Sequence, residues 1–463
     1  MTKILELINP TTGEMIRELP YHTWDEAKSL LITVGNTQKQ WKHTKISDRI
    51  QLVKVAMDYF RDNQQTIAED ITRQMGKPIS QSINEVKGMI HRAEVCCELA
   101  EDAIKDIIFP ETDGLRRIIM REPLGVVLDI AAWNYPLLIA VNVVVPAILA
   151  GNSVAIKHSS LTPLCGIAFE AAFKSAGAPD GLVTSLILDH QTTEQVIQSG
   201  LIHHLAFTGS VAGGQRVKAS IGSQFIEAGL ELGGKDPAYI REDANLKTAI
   251  PGVMDGVFYN AGQSCCGVER IYVHNSIFHQ FVDRAVEFMN NLIIGDPMYD
   301  TTDLGPLAQL SGLQTIQNQL FDAEEKGANI IRHPGPCHDG NNYLLPAILT
   351  NVNHNMEIMM EESFGPVVGI MAVNSDKEAI EFMNDSPYGL TASVWTENNE
   401  KAFEIGNQIE TGTIFQNRCD VLDPELPWVG VKDSGKGCTL SALGIQGLTR
   451  PKAFNLLVHR NGV

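Results

Sequence analysis

An alternation of short apolar segments with amphipathic ones, beginning at residue 126, restricts the fold of this chain more than any other feature of its sequence. The apolar segments have the length of strands, and most of the segments between them repeat apolar residues at the period of a helix. Strands that alternate with helices form a mostly parallel sheet with helices on both faces, so the sequence predicts an α/β fold. The strands predicted in this part are residues 126–132, 153–157, 184–188, 204–208 and 225–230.

The same alternation resumes after residue 269 and predicts a second α/β unit. Its predicted strands are residues 270–274, 367–373, 392–396 and 412–417, and its predicted helices are residues 277–292, 311–325, 377–384 and 397–409. Two such units agree with the length of the chain. A chain of 463 residues is too long for one core and is expected to divide into two or three domains.

The first hundred residues differ, because their apolar residues repeat at helical spacing in successive segments. Helices are therefore predicted there, with Thr23, Ser47 and Ser80 as caps at their starts. The predicted helices are residues 24–41, 47–63, 65–74 and 81–104.

The charge of the chain argues against a nucleic-acid partner. Lysine and arginine number 36 against 55 acidic residues, which gives a net charge of −19, and the basic residues do not cluster. Phosphate contacts require clustered Lys and Arg. Residues 130–151 carry no charge and are long enough to span a bilayer, but they contain two Asn and two Pro. We therefore expect a buried strand followed by a helix opening near Pro136, and no membrane association.

The eight cysteines include two adjacent pairs and show no CxxC spacing. Neighbouring cysteines are poor partners for a disulfide framework, so free thiols in a reducing compartment are expected. The N-terminal residues contain no apolar leader segment. These two features together predict a cytoplasmic protein.

One thiol and one carboxylate stand in glycine-flanked segments that favour chemistry on a carbonyl group. Glu231 opens a Glu-Leu-Gly-Gly segment, and Cys265 follows an Asn-Ala-Gly-Gln-Ser segment that begins at residue 260. A thiolate attacks a carbonyl carbon, and a nearby carboxylate can take a proton from the thiol or from a later water. Taken alone, the pair is equally compatible with a buried structural cysteine and a surface glutamate.

With its flanking segments, the pair resembles the aldehyde dehydrogenase superfamily. The signatures Glu-Leu-Gly-Gly-Lys and Gly-Gln-x-Cys stand at residues 231–235 and 262–265, and further family motifs occur in the expected order along nearly the whole chain. A structural or binding protein that keeps this fold without activity is the alternative. The further motifs are residues 9–13, 76–78, 123–126, 133–136, 207–210, 361–366 and 434–437.

The resemblance implies three parts. A Rossmann-like dinucleotide-binding domain would comprise residues 1–104 and 122–233, and a catalytic domain would comprise residues 234–440. A small β oligomerisation element would combine residues 105–121 with residues 446–463, and its strands need a sheet edge that a partner subunit would supply. A homodimer or homotetramer is therefore expected.

The resemblance also assigns the catalytic residues. Counting from Gly262, the nucleophile is Cys265, and Cys266 is a packing residue. Asn134 would stabilise the thiohemiacetal oxyanion with the backbone N–H of Cys265, although its position before Pro136 also suits a helix N-cap. Glu231 would activate the water that hydrolyses the thioester, which favours a free acid as product over transfer to coenzyme A.

For the cofactor, the resemblance implies NAD or NADP and no metal. Ser160 stands where relatives that prefer NAD often have Glu, and its small hydroxyl leaves room for a 2′-phosphate. His158 takes the usual proline position and, when protonated, would add attraction for that phosphate, so NADP should be accepted. Histidines at 203–204 and the His-x-x-x-Cys-His segment at 333–338 lack the partners of a metal site. The residues expected to hold the cofactor are Trp133, Lys157, Ser160, Gly209, Ser210, Gly214, Leu232, Glu362 and Phe364.

Four residues are expected to line the tunnel for the aldehyde: Leu138 and Asn142, which share a helix face with Asn134, and Leu422 and Trp428. Leu422 and Trp428 belong to the second tunnel segment, residues 418–428. Its three acids, at 420, 423 and 425, favour a neutral or amino-aldehyde, unless they face solvent. The alternative is succinate semialdehyde, whose carboxylate Arg270 or Arg418 would receive.

Overall fold

A computed structural model of the chain describes residues 3–112, 114–336 and 342–458. Its first part begins with a hairpin and continues with four helices and a two-strand arm. The helices bury apolar faces against one another and against the sheet that follows. The elements are β1 (Ile4–Ile8), β2 (Met15–Pro20), α1 (Trp24–Trp41), α2 (Ile46–Asp62), α3 (Gln64–Met75), α4 (Ile79–Ala103), β3 (Ile107–Ile108) and β4 (Leu115–Pro123).

Strands and helices then alternate as predicted, which confirms the α/β class. The charge-free segment forms the end of the fully buried strand β5 and the helix α5, which begins at Pro136. Within the described ranges, no helix has both the length and the apolarity to cross a membrane. The elements are β5 (Val126–Ala131), α5 (Pro136–Ala150), β6 (Ser153–His158), α6 (Pro163–Ser175), β7 (Val183–Ser185), α7 (His190–Gln198), β8 (His204–Thr208), α8 (Val211–Ile221) and β9 (Glu227–Glu231).

The second α/β unit follows directly after β9. Its first elements are β10 (Asp236–Ile240), α9 (Leu246–Phe258), β11 (Val268–His274), α10 (Phe278–Asn290), α11 (Leu310–Glu325), β12 (Asn329–Arg332), β13 (Ala347–Thr350), α12 (Glu357–Met360) and β14 (Val367–Val373). Its remaining elements and the tail are α13 (Asp376–Asn384), β15 (Tyr388–Gly389), β16 (Thr391–Trp395), α14 (Asn399–Gly406), β17 (Thr413–Gln416), β18 (Val431–Lys432), β19 (Gly435–Lys436), α15 (Ser441–Gly447) and β20 (Thr449–Leu457).

The strands form two large sheets, each with its own core. The first has the order β19-β9-β8-β5-β6-β7 and is parallel except at β19, and the second has the order β12-β13-β14-β11-β10-β16-β17 and is parallel except at β12. The chain passes from the first sheet to the second between Glu231 and Asp236. We propose the predicted domain boundaries on this basis, with one difference: residues 435–436 join the first sheet although they lie in the predicted catalytic domain.

The strands of the predicted oligomerisation element pair within the chain. β20 pairs with β4 over nine residues, from Thr449 opposite Pro123 to Leu457 opposite Leu115, and β4 pairs with β3. The expectation that a partner subunit supplies the edge for these strands is therefore wrong for this pair, because each provides the edge that the other needs.

The structure also differs from the predictions in smaller ways. It contains the N-terminal hairpin β1–β2, the strand β10 and the helix α9, for which the sequence analysis makes no prediction. Thr23 does cap α1 in a capping box with Glu26, but α2 and α4 follow Lys45 and Pro78 instead of the predicted serines. The strand β10 follows β9 without a helix between them. It therefore does not fit the alternation of strands and helices from which the other strands are predicted.

Candidate active site

The loop that carries Cys265 has an unusual backbone. After α9 ends, Asn260 and Ala261 both have a φ of 53° and Gly262 has a φ of 71°. Left-handed conformations are rare for residues with side chains, so three in succession turn the chain sharply. A Cβ on Gly262 would collide with the carbonyl oxygen of Gly365, so only glycine fits there. The turn places the thiol of Cys265 at the wall of a cavity.

Buried amide side chains hold this loop in place. The backbone N–H of Asn260 donates to Gln81 Oε1 at 2.9 Å, and Gln263 Oε1 accepts from the backbone N–H of Ala308 at 2.9 Å. Asn134, 3% exposed, donates from Nδ2 to the carbonyl oxygen of Gln263 at 3.2 Å. Its amide therefore lies against the loop two residues before Cys265. The N-cap alternative for Asn134 is wrong, since the residue that precedes α5 is Tyr135.

Glu231 ends β9, and the glycines after it bring this segment against the same loop. A Cβ on Gly234 would lie 2.5 Å from the carbonyl oxygen of Cys265, so the close approach requires glycine. Glu231 Oε1 accepts a hydrogen bond from Thr439 Oγ1. Burial raises the pKa of Glu231, while Thr439 and the charge of Arg92 oppose that rise. A carboxylate with a raised pKa is a better general base near neutral pH.

Cys265 and Glu231 line one cavity of about 340 Å³. All four residues expected to line the aldehyde tunnel, Leu138, Asn142, Leu422 and Trp428, line it as well. Several polar residues of this cavity are not among the predicted site residues, because helical periodicity alone does not say which face of α4 or α9 meets the cavity. These are Gln81, Asn84, Glu85, His91, Arg92, Asp255, Tyr259 and Ser264.

Cys266 has a polar partner in addition to its packing contacts. It is 3% exposed and packs with Leu390 and Trp428, and its Sγ donates to Asp420 Oδ1 at 2.8 Å. Ser264 Oγ donates to the same oxygen at 2.8 Å. Burial raises the pKa of Asp420 to about 6.

The charge argument from the second tunnel segment is wrong in most of its parts. Asp420 lines the cavity, but Asp423 and Glu425 are exposed and stand outside its lining among the described residues. Arg418 is likewise exposed and outside the lining. Arg270 is 1% exposed, and its guanidinium donates to the carbonyl oxygens of Lys235, Phe382, Asp385 and Met383 and to the Tyr272 hydroxyl. Neither arginine can receive a substrate carboxylate in this cavity.

The residues expected to bind the cofactor gather at the C-terminal ends of β5, β6 and β8. Strand order reverses at β5, where α/β sheets bind their ligands. Trp133 follows β5, the buried Lys157 and the exposed Ser160 lie at the end of β6, and Ser210 caps α8 by accepting from the Gly213 N–H at 3.2 Å. A Cβ on Gly214 would lie 2.6 Å from Leu232, so α8 packs closely on the Glu-Leu-Gly-Gly segment.

A buried ion pair positions Glu362 and Phe364. Lys235 and Glu269 are paired at 2.6 Å, and the Glu269 carboxylate accepts from the backbone N–H groups of Ser363 and Phe364 at 2.7 and 2.9 Å. The Phe364 ring then lies 5.5 Å from that of Trp133, edge to face.

Glu362 Oε1 accepts from the Gly234 N–H at 3.1 Å, and burial raises the pKa of Glu362 to about 8. Glu362 is therefore more than a solvated charge. A lysine, a helix N-terminus, a carboxyl group and two aromatic rings are groups that suit a dinucleotide.

His158 is expected to face the cofactor site, but it does not. Its ring is buried, with Nε2 3.0 Å from the Pro136 carbonyl oxygen and Nδ1 3.1 Å from Thr162 Oγ1. Burial lowers the pKa of His158 to about 4. The expectation that it adds attraction for a phosphate is therefore wrong.

The described residues hold no group of three His, Cys, Asp or Glu suited to a metal ion. His203 Nδ1 accepts instead from the Val126 N–H at 3.0 Å. Residues 337 and 338 of the second histidine segment lie outside the described ranges.

Comparisons with known proteins show the family of the chain. Residues 1–454 match the family model described as the aldehyde dehydrogenase family. The chain is 32% identical over 451 residues to an aldehyde dehydrogenase of Paenarthrobacter nicotinovorans, covering 95% of this chain and 96% of that protein. It is 30% identical over 451 residues to an NADP-dependent succinate-semialdehyde dehydrogenase of Deinococcus radiodurans, covering 96% of this chain and 93% of that protein. A solved point mutant of betaine aldehyde dehydrogenase from Staphylococcus aureus, in complex with NAD+, has a TM-score of 0.94 and 26% identity, covering 100% of this chain and 95% of that one.

Proposed function

We propose the residue roles below from the premise that this chain belongs to the aldehyde dehydrogenase family. The chain is an oxidoreductase that converts an aldehyde to a carboxylic acid with NAD or NADP. The alternative of a structural protein without activity is thereby set aside. What remains to be proposed is which residues act, which cofactor is preferred and which aldehyde is taken.

Cys265 is the nucleophile in this proposal. Its thiolate adds to the aldehyde carbon, and the oxygen that becomes negative accepts hydrogen bonds from the Asn134 amide and from the backbone N–H of Cys265. A bound nicotinamide supplies a hydride acceptor, which leaves an acyl group joined to Cys265 as a thioester. Glu231 then takes a proton from water as the water attacks the thioester, and the acid and the free thiol are released.

The observation that carries this proposal is that Cys265 and Glu231 line the same cavity. Glu231→Gln should complete one turnover and then stop at the thioester, because amide oxygen is a poor base. Stopped-flow mixing with aldehyde and NADP should therefore show one reduced cofactor per subunit, followed by a much slower steady state. Glu227→Gln, at the exposed start of the same strand, should behave as the wild type. Full steady-state turnover in Glu231→Gln would refute the role of Glu231, and rescue of that variant by coenzyme A alone would point to acyl transfer.

NADP is proposed to be accepted at least as a second cofactor. Ser160 is exposed at the end of β6 and leaves room for a 2′-phosphate, while Lys157 nearby supplies a cationic group. Ser160→Glu should lower kcat/KM for NADP, since a carboxylate repels the phosphate, whereas Ser160→Ala should not. A wild-type preference for NAD above about 10³-fold, roughly 4 kcal/mol, would contradict this proposal.

The aldehyde is proposed to be small, because its cavity holds about 340 Å³. Succinate semialdehyde, after which the Deinococcus radiodurans relative is named, is a candidate of suitable size. The initial expectation of a neutral or amino-aldehyde loses its support, since Asp423 and Glu425 are exposed outside the cavity.

A homodimer or homotetramer in the cytoplasm is proposed as the form of the protein. Large apolar residues stand exposed on the β3–β4–β20 sheet, among them Ile107, Ile108 and Leu457 at 51%, 66% and 64%. Exposed apolar side chains of this kind favour association. Light scattering coupled to size exclusion would give the mass directly. A reducing compartment suits an enzyme that depends on the free thiol of Cys265.

A further inference from the structure

We propose that Arg92 receives a carboxylate at the far end of the aldehyde, so that the substrates of this site are short oxo acids. The proposal rests on the oxidation chemistry assigned to Cys265 above. It names a specificity-determining residue that the sequence motifs do not contain.

Arg92 lies on the face of α4 that meets the cavity. Glu85 and Gly88, seven and four positions earlier, line the cavity on the same helix face. Gly88 faces α5, where a Cβ would make an ordinary contact at 3.5 Å from Leu138 Cδ2. Arg92 Nη1 reaches across to α5, donating to the Leu138 carbonyl oxygen at 3.1 Å and to Asn142 Oδ1 at 3.2 Å. These two bonds fix the plane of the guanidinium at the wall of the cavity.

The hydrogen bonds of Arg92 leave most of its donors unused. Both bonds come from Nη1, and within the described residues no carboxylate lies at ion-pair distance and no acceptor is paired with Nε or Nη2. Three fully buried cations of this chain are satisfied differently. Lys77 pairs with Glu85 and Lys235 pairs with Glu269, while Arg270 donates from all three of its nitrogens. Arg92 is itself only part-buried, so these unused N–H groups stay accessible to an anion that enters the cavity.

The acidic groups that share the cavity are already engaged or lie at its edge. Glu85 pairs with Lys77, Glu231 accepts from Thr439, and Asp420 accepts from Ser264 and Cys266. Asp255 is exposed at the edge of the cavity. Each carboxylate other than Asp255 thus has a donor from the protein, while Arg92 has donors to spare.

A carboxylate matches those spare donors. The Nε and Nη2 edge of a guanidinium presents two parallel N–H groups, which bind a carboxylate through two hydrogen bonds. The aldehyde carbon must reach Cys265, which lines the same cavity, so a linear oxo acid with its two ends at Arg92 and Cys265 satisfies both groups. An amino-aldehyde would place its ammonium against Arg92 and would have to rely on Asp420 or Asp255.

The test compares three aldehydes of similar length: 4-oxobutanoate, butanal and 4-aminobutanal. Wild-type protein should show the highest kcat/KM for 4-oxobutanoate. Arg92→Gln should reduce the ratio of kcat/KM for 4-oxobutanoate to that for butanal by about 10²-fold, mostly through KM, because a charge-assisted bidentate contact is lost. Arg92→Lys should recover part of the ratio. Lys87→Gln removes a charge from the exposed face of the same helix and should leave the ratio unchanged.

Each outcome bears on a different claim. If the wild type oxidises butanal or 4-aminobutanal better than 4-oxobutanoate, or if Arg92→Gln lowers kcat/KM for all three aldehydes equally, the assignment of Arg92 is overturned while the oxidation chemistry stands. If none of the three reduces NAD or NADP, the aldehydes tested or the proposed residue roles are wrong as a whole. Retained butanal oxidation shows that Arg92→Gln is folded, so a change in the ratio cannot come from unfolding.

Discussion

Removal of the Thr439 hydroxyl should shift the pH dependence of thioester hydrolysis to higher pH. Thr439 Oγ1 donates to Glu231 Oε1, and that bond stabilises the ionised carboxylate against the burial that raises its pKa. Thr439→Val takes the donor away and keeps the shape of the side chain. The pKa of Glu231 should therefore rise further, since its neutral form loses less than its charged form.

The size of the shift follows from the strength of that bond. A hydrogen bond to a charged group contributes about 1.5–3 kcal/mol, and one pKa unit corresponds to about 1.4 kcal/mol, so the pKa of Glu231 should rise by about 1 to 2 units. Hydrolysis needs the ionised form. At a pH below both the wild-type and the variant pKa, the variant should hydrolyse the thioester about 10- to 10²-fold more slowly than the wild type. Its rate should recover as pH rises through the variant pKa.

The assay isolates hydrolysis from the earlier steps. Acyl-enzyme is formed by rapid mixing with aldehyde and cofactor, and its decay is followed at pH values from 6 to 10 by the acid released after quenching. Thr439→Ser keeps a hydroxyl and should resemble the wild type. If the pH profile of Thr439→Val does not move, or if Thr439→Ser moves equally far, Thr439 does not hold Glu231 in its reactive state.

Three further predictions concern residues around the cavity. Asn134→Ala should lower the rate of the first turnover by about 10²–10³-fold, because the oxyanion loses a hydrogen-bond donor. Stopped-flow reduction of the cofactor would measure this rate. An unchanged rate would show that Asn134 does not stabilise the oxyanion. Cys266→Ala should keep kcat within about tenfold, since Asp420 retains its bond from Ser264, and a dead Cys266→Ala would show that the nucleophile has been misassigned. Lys235→Met should destabilise the protein by about 3–5 kcal/mol, because Glu269 is left buried and unpaired, and urea unfolding with no change in midpoint would contradict this.

Local patterns explain why the parallel sheets could be predicted. Strands such as β5 and β6 are buried on every residue and are rich in apolar residues, as is typical of a sheet covered on both faces. The helix α5 was placed correctly because Pro136 suits a first turn. The catalytic residues are proposed from motifs, and two of these motifs contain a backbone requirement. Gly262 and Gly234 lie where no side chain fits, so the segments around Cys265 and Glu231 are recognisable in the sequence.

The misplaced residues share another cause, which is that their role depends on contacts between distant segments. Arg92 stands 46 positions before Leu138, and nothing in the spacing of α4 says that its face meets α5. His158 and Ser160 are neighbours in sequence, yet one ring turns into the core and the other side chain is exposed. The strand β20 and its partner β4 are separated by more than 300 residues, so their pairing could not be read from either segment alone.

The position of the acyl group tests the central proposal most directly. Glu231→Gln protein is mixed with 4-oxobutanoate or butanal and with NAD or NADP, then quenched in acid and digested. The peptide that contains Cys265 and Cys266 is sequenced by mass spectrometry. We expect an acyl adduct on Cys265, formed only when cofactor is present and lost in a Cys265→Ala background. An adduct on Cys266, or reduced cofactor produced with no adduct on this peptide, would contradict covalent catalysis by Cys265.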